Sequence, residues 1–396
     1  MSQDRVEPEA QKTAPGAVVE EVSSGVRAVG GARTSIAVFL AKAAHASGEP
    51  LRLTSWKAFG EQSAIVGEAT DGESDTTRIA VSKEVWAAVH GWFANGGGEC
   101  YLAPVDGKDG LADTLSSLEA MEDITIVVAP DLWSETTEQG ARAEAGLIAD
   151  HCARMANRVA VLHLPEGADS STAVDATLGI EAEARGWVTV YHPWINVAGP
   201  GPGDPVTVPP SGHVAGVWAR VDAERGVHKA PANEGLRGGV ISLTQYLTDA
   251  EQATLNDQGV NAIRQFPGTG HLVWGARTLA AGDVSDVEHA YLNVRRSMNF
   301  IKQSILQSTQ WAVFEPNDER LQTSVTAMIS SFLTGLWRRG MLRGQSPEQA
   351  FYVVCDATNN PPEEVLQGKL TAEVGVALVR PAEFITFRVS QVIGQS

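Results

Sequence analysis

Cysteine is scarce in this sequence: Cys100, Cys152 and Cys355 are the three present in 396 residues. They are odd in number, far apart and in no C-x-x-C pair, so they read as small core residues kept reduced, in keeping with cytosolic synthesis. Basic residues are outnumbered, with 30 Lys and Arg against 48 Asp and Glu and a net charge of −18. Neutralising phosphates requires clustered Lys and Arg, so nucleic acid and anionic membrane surfaces are excluded as partners, and the charge serves solubility. Long apolar runs are missing as well. None reaches about 18 residues, and the first thirty residues lack a basic stretch followed by an apolar one, so neither membrane insertion nor an export signal is expected.

The sequence also lacks the spacings of common catalytic sites. Asn95-Gly96-Gly97-Gly98 and the run Gly199 to Gly203 are glycine-rich, but neither forms G-x-x-x-x-G-K-[ST] or G-x-G-x-x-G between a strand and a helix. Turn chemistry accounts for both. No H-E-x-x-H occurs and the nine histidines have no helical ligand spacing, so no metal is expected. Asp71-Gly72-Glu73-Ser74-Asp75 begins like a calcium loop, yet glycine is absent from the sixth position and Ser82 stands at the twelfth, which leaves a solvated acidic loop. His192-Pro193-Trp194 follows a strand end, where α/β enzymes place functional groups, but packing and capping explain it. Ser211-Gly212-His213 sets serine beside histidine without a G-x-S-x-G elbow, and reads as a loop entering a helix. An α/β hydrolase-like enzyme using Ser211 and His213 is the one catalytic alternative. The expectation is a chain that is not an enzyme and carries no cofactor.

What is present is a clear alternation of elements. The length exceeds what one core usually supports, so two domains are expected. Residues 1 to 15 are polar and Pro-bearing, an arm rather than core. Strands are expected at Ser35 to Leu40, Cys100 to Val105, Ile124 to Ala129, Val159 to Leu164 and Trp187 to Val197. Helices are expected at Lys83 to Phe93, Leu111 to Met121, Gly140 to Ala156 and near 172–184. This alternation predicts parallel β-α-β units and an α/β (mixed α+β) fold. Gly199 to Pro205 is a loop or linker, and His213 to Glu224 a short helix.

Further along, Thr248 to Asp257 is expected as a helix, and short strands split at Pro267-Gly268 follow within Gly259 to Ala280. His289 to Ser308 carries a helical stripe of Val294, Met298, Ile301 and Ile305. Trp311 to Phe314 reads as a strand ended by Glu315-Pro316-Asn317. A helix over 318–339 follows, with Asn317 as N-cap, Arg338-Arg339 in its last turn and Gly340 at C′. Phe351 to Cys355, Leu370 to Arg380 and Phe384 to Val392 complete the strands, the last two alternating.

Several segments, in order, carry a specific resemblance: PGAVVEEVSSGVRAVGGARTSIAVF and FANGGGECYL, then YHPWINV, VPPSGHVAGVWARVDAERGVHKAPANEGLRG and GVNAIRQFPGTGHLVWGARTL. The last third adds YLNVRRSMNFIKQSI, TQWAVFEPNDERL, FLTGLWRRGML, CDATNNPPE and VRPAEFITFRVSQ. On these motifs the sequence resembles the sheath proteins of contractile phage tails and phage-tail-like contractile injection systems. The resemblance implies stacked six-fold rings of this chain, a helical homo-oligomer around an inner tube protein. Contraction triggered at the baseplate would drive the tube through a target envelope. Partners would also include baseplate and terminator or cap proteins, and assembly would take place in the cytoplasm as part of a phage-tail-like particle. The implied layout is an N-terminal arm (1–24), an α/β outer domain (25–234), an inner, tube-facing C-terminal sheath domain (235–383) and a C-terminal arm strand (384–396). It also implies arm strands added to neighbours, here Val18, Val19, Glu20 and Val22 at one end and Phe384, Ile385, Phe387 and Val389 at the other. Arg320, Arg338, Arg339 and Arg343, at the ends of the 318–339 helix, are the candidate tube-facing residues. The remaining alternative, an inner tube protein, is disfavoured by the length.

Overall fold

The computed structural model describes residues 28–43, 48–65, 79–106, 110–134, 137–172, 174–199, 205–282 and 289–383. A nine-stranded sheet forms its spine. In chain order the strands are β1 (Ala37–Lys42), β2 (Leu51–Leu53), β3 (Cys100–Val105), β4 (Ile126–Val128), β5 (Val159–His163), β6 (Val188–His192), β7 (Glu234–Gly235), β8 (Val260–Phe266) and β9 (Gly270–Trp274). Across the sheet they run β7-β9-β8-β6-β5-β4-β1-β3-β2. The strands from β8 to β3 pair in parallel, while β2, β9 and β7 join antiparallel at the margins. The expected α/β organisation is present.

Strand periodicity divides the core into two layers. Successive side chains point to opposite faces, so Ala37, Phe39 and Ala41 enter one apolar cluster and Val38 and Leu40 the other. The first layer is closed by α1 (Lys83–Ala94) and, from later in the chain, α3 (Ser211–Arg225), through Trp92, Val217 and Trp218. The second is closed by α2 (Glu138–Met155), through Ala141, Ala145, Ile148 and Cys152. Being buried on both faces, the strands are nearly all apolar rather than alternating.

Glycines set the crossing of α1 and α3. A Cβ on Gly212 would lie 2.3 Å from the Cα of Ala88 and 2.4 Å from its carbonyl oxygen, and one on Gly216 would lie 2.6 Å from the carbonyl oxygen of Trp92. A Cβ on Gly91, from the opposite side, would meet the ring of His213 at 2.3 Å. Two backbones approach here with no space for side chains.

A third apolar cluster surrounds α4 (Leu292–Thr309) and α5 (Glu319–Arg338). The core stripe of α5 is Leu321, Val325, Met328, Ile329, Leu333 and Leu336, all buried. Gly340, at φ 74°, closes a Schellman motif: its N–H donates to Trp337 O at 2.9 Å and that of Met341 to Leu336 O at 3.1 Å. A two-stranded antiparallel sheet, Phe351–Val354 with Glu373–Val376, packs on this cluster.

Several expectations are corrected. Trp311 to Phe314 is not a strand: one 3-10 turn covers Gln310–Ala312, and Phe314 sits at φ 69° with its side chain fully in solvent. The two helices on either side leave it no partner strand. Asp318 rather than Asn317 caps α5, its Oδ1 accepting from the N–H groups of Arg320 and Leu321. Asn317 instead donates through Nδ2 to Lys369 O. The helix near 172–184 is two short pieces, Val174–Leu178 and the 3-10 helix Ala182–Trp187. The strand expected from Trp187 to Val197 breaks at Pro193, which has no N–H for the ladder. Ile195–Val197 then joins a separate three-stranded sheet with Val206–Val208 and Val240–Leu243. The segment around Gly199 therefore connects two antiparallel strands. The boundary placed between 234 and 235 is crossed by the main sheet, because β8 and β9 extend it beside β6. The acidic stretch at 71–75 and both arm strands lie outside the described residues.

Two predictions concern this core. Gly212→Ala is expected to destabilise by about 1–3 kcal/mol through overpacking, whereas Gly335→Ala on α5, whose added Cβ meets nothing within 4 Å, is expected to stabilise by about 0.5–1 kcal/mol. Urea midpoints at constant slope measure both. Acid should also unfold the protein. Desolvation lowers His151 and His213 to about 4 and His163 to about 3, while desolvation raises Asp131 to about 6. The unfolded chain binds a proton on each histidine below pH 6.5 that the folded state refuses until about pH 4. Asp131 works in the opposite sense, and three histidines outweigh one carboxyl. Stability is therefore full above pH 6.5 and falls as pH drops toward 4, by about 1.4 kcal/mol per pH unit for each net proton; denaturant midpoints across that range provide the check.

Candidate functional site

The candidate arm residues Val18, Val19, Glu20, Val22, Phe384, Ile385, Phe387 and Val389 lie outside the described residues. The segments from which the arms depart are described, and both are bound to α4. Residues 30–34 run antiparallel to the helix: Gly30 N donates to Ser308 Oγ at 3.2 Å and Ala32 N to Ser304 Oγ at 2.9 Å. Thr34 O accepts from Arg296 Nη2 at 3.0 Å. On the C-terminal side, Val379 O accepts from Asn293 Nδ2 at 3.0 Å. Arg343 N donates to Ala377 O at 2.7 Å. Glu383, the last described residue, forms a two-pronged ion pair with Arg277, Nη2 to Oε2 being 2.5 Å and Nε to Oε2 3.1 Å.

The inward face of α4 is polar over its first two turns, while of the expected stripe Ile301 is buried and Ile305 packs against the third cluster. Val294 and Met298 are only half-buried, whereas Asn293, Arg295, Arg296, Ser297 and Asn299 are buried. Arg296 makes a two-pronged pair with Asp222 of α3, at 3.0 and 2.6 Å, its guanidinium 4.9 Å from the centre of the Trp218 ring. The two side chains are 4% and 3% exposed, so this pair lies inside the protein. Arg295 stacks 3.9 Å over Trp187 and donates from Nε to Gly186 O. Adjacent arginines thus grip two different parts of the sheet layer from a single helix.

The candidate tube-facing arginines Arg320, Arg338, Arg339 and Arg343 are all exposed. None of them has an ion-pair partner among the described residues. Arg338, Arg339 and Arg343 gather at the C-terminal end of α5, and Arg339 Nε also donates to Gly335 O at 3.3 Å, serving as a helix-end cap. Arg320 stands at the other end, about 27 Å away at 1.5 Å per residue.

Ser211 and His213 are 0% exposed, at the crossing of α1 and α3. Ser211 Oγ has no hydrogen-bond partner. Neither ring nitrogen of His213 meets one in full hydrogen-bonding geometry, although the Gly238 backbone comes close enough to favour its charged form slightly. A substrate has no route to them, and the hydrolase alternative finds no support in this geometry. His192 and Trp194 pack as expected, with His192 Nε2 3.0 Å from Gln245 Oε1 and Trp194 Nε1 donating to Leu164 O.

Arg277, Glu383, Arg296 and Asp222 were not singled out by periodicity, because each pairs across tens of residues. The one signal available was the charged pair Arg295-Arg296 within an otherwise helical stripe.

Comparison with known proteins follows this architecture. The chain matches the phage tail sheath protein central domain over residues 107–279 and the phage tail sheath C-terminal domain over residues 285–391. A tail sheath protein of Vibrio phage KVP40 is 32% identical over 181 residues, 45% of this chain. That segment is 26% of the phage protein's length, so the match spans about a quarter of this curated relative. A chain in the cryo-EM structure of the anti-feeding prophage baseplate, 6-fold symmetrised, superposes with a TM-score of 0.75 at 30% identity, covering 97% of this chain and 100% of that one. One from an extracellular contractile injection system, the PVC sheath complex in the contracted state, gives a TM-score of 0.72 at 30% identity, covering 97% and 99%. The chain belongs to the phage tail sheath protein family.

Proposed function

We propose that the protein is the repeating subunit of a contractile sheath, polymerising as stacked six-fold rings around an inner tube and contracting to drive that tube through a target envelope. The observation that carries this reading is end-to-end likeness to subunits of contractile particles, at 30% identity over 97% of the chain. In this reading the energy resides in the lattice: an extended arrangement is held above a contracted one and released when a baseplate disc shifts, so no nucleotide is spent.

The arms at 1–24 and 384–396 join neighbours by adding strands to their sheets. The sheet of Phe351–Val354 and Glu373–Val376 suits this role, since it has no third strand among the described residues and so offers unpaired edges. The part of the chain around α4 and α5 faces the tube, with Arg338, Arg339 and Arg343 on it. Exposed ion pairs are worth about 0–1 kcal/mol each, weak enough for the tube to be released. Arg320, at the far end of α5, meets a different part of the tube. Further partners are the baseplate and the terminator or cap, and assembly proceeds in the producing cell's cytoplasm.

Deleting residues 1–22 is expected to leave a folded monomer that does not polymerise, because the arm adds little to its own subunit's core. Sedimentation and negative-stain microscopy report this, and normal sheaths from the truncation would end the arm assignment. The double substitution Arg338→Glu, Arg339→Glu is expected to abolish sheathed tubes with the fold retained. Sheathed tubes at wild-type yield would remove these residues from the tube contact.

A further inference from the structure

At the carboxyl ends of the parallel strands lies a cleft. The chain leaves β1 toward β3 on one side and continues through β4, β5 and β6 on the other. Loops at such a reversal diverge in opposite directions and open a crevice, which is where open α/β sheets receive ligands. Here the crevice has a volume of about 870 Å³, within the range of small-molecule sites. A second cavity of about 360 Å³ adjoins it, the two sharing Glu166, Ala168 and Trp194.

The walls determine what fits. Trp133 Nε1 donates to His163 O at 2.9 Å and Trp194 Nε1 to Leu164 O at 2.8 Å. Both indoles are thus fixed on successive carbonyls at the end of β5 while they line the cleft. The cations present are already engaged: Lys42 Nζ lies 3.0 Å from Glu144, and Lys83 Nζ 3.8 Å from Glu84. Buried Asp131 accepts from Ser82 Oγ at 2.5 Å and Lys42 N at 3.1 Å, so it too is occupied. Glu138 and Glu166 line the same space, are exposed, and have no ion pair among the described residues.

In the adjoining cavity His192 is 2% exposed. Its Nε2 faces Gln245 Oε1, which can only accept, so Nε2 carries the proton and Nδ1 is left as an acceptor. Nδ1 has no partner. Uncommitted carboxylates, indole walls and a buried acceptor without a donor all call for a cation rich in N–H groups with an apolar stem.

We propose that this cleft binds a small aliphatic diamine, its ammonium groups at Glu138 and Glu166 and its methylene chain between Trp133 and Trp194. Binding is tested on the unassembled full-length chain. Isothermal titration at low ionic strength with 1,5-diaminopentane is expected to show saturable binding, with 1-aminopentane weaker and 1,5-pentanediol silent. Glu166→Gln and Glu138→Gln alter exposed side chains and should leave folding intact. Each is expected to weaken the diamine by about tenfold or more, as the loss of a charged hydrogen bond implies. Trp133→Leu should weaken it as well. Absence of saturable binding at millimolar diamine, equal binding of the diol, or unchanged affinity in both glutamine variants would overturn the proposal.

Discussion

A guanidinium enclosed by a carboxylate and an indole ties the molecule together. Arg296 of α4 reaches Asp222 of α3, lies against Trp218 and donates to the carbonyl of Thr34. Segments 74 and 262 residues away in sequence, at Asp222 and Thr34, meet on that one side chain. The pair is buried, so its worth depends on complete satisfaction of both partners. Removing either alone would leave a bare charge inside and cost about 3–5 kcal/mol. Satisfaction is achieved because the bidentate fork matches the carboxylate and the remaining N–H finds a backbone oxygen. The same helix also contributes Ile301 to the cluster around α5.

The sheet layer in turn depends on close approach. The crossing of α1 over α3 works only because Gly91, Gly212 and Gly216 have no side chains, which lets the His213 ring lie against Gly91 and the two helix backbones touch. Asn95 locks the end of α1 by bonding Gly91 O and both the O and N of Arg237. Asn261 does the same between β6 and the segment after β9, bonding Val190 O and both O and N of Arg277. Asn360 repeats the device near the two-stranded sheet, with Thr371 as the partner. A buried amide offers two donors and an acceptor, and these three are used as joints between loops that have no ladder of their own.

This explains what the sequence made legible. Parallel strands buried on both faces are continuous apolar runs, so Cys100 to Val105 could be placed to the residue, and helices with signed ends, such as α1 and α5, to within one or two. Family membership was legible because joints of the asparagine and glycine kind fall in fixed words, ANGGG, SGHVAG, GVNAIR and TNNPPE among them. What escaped was decided by tertiary contact. Trp311 to Phe314 has strand composition but no neighbour to pair with, and α4 buries arginine and asparagine where periodicity favoured Val294 and Met298. The domain boundary escaped for a similar reason, since β8 and β9 return to a sheet begun more than two hundred residues earlier.

The departure points of the two arms have a mechanical consequence. Val379 and Thr34 are held by Asn293 and Arg296, less than one helical turn apart on α4. A pull on the amino end of the described chain meets Ser308 and Ser304 before Arg296, and one on the carboxyl end meets Arg277 before Asn293. Tension arriving through one terminus can leave through the other along α4, and of the nine-stranded sheet it loads the margin at β8 and β9, to which Arg277 is tied. The helix then acts as the strut that joins the two ends.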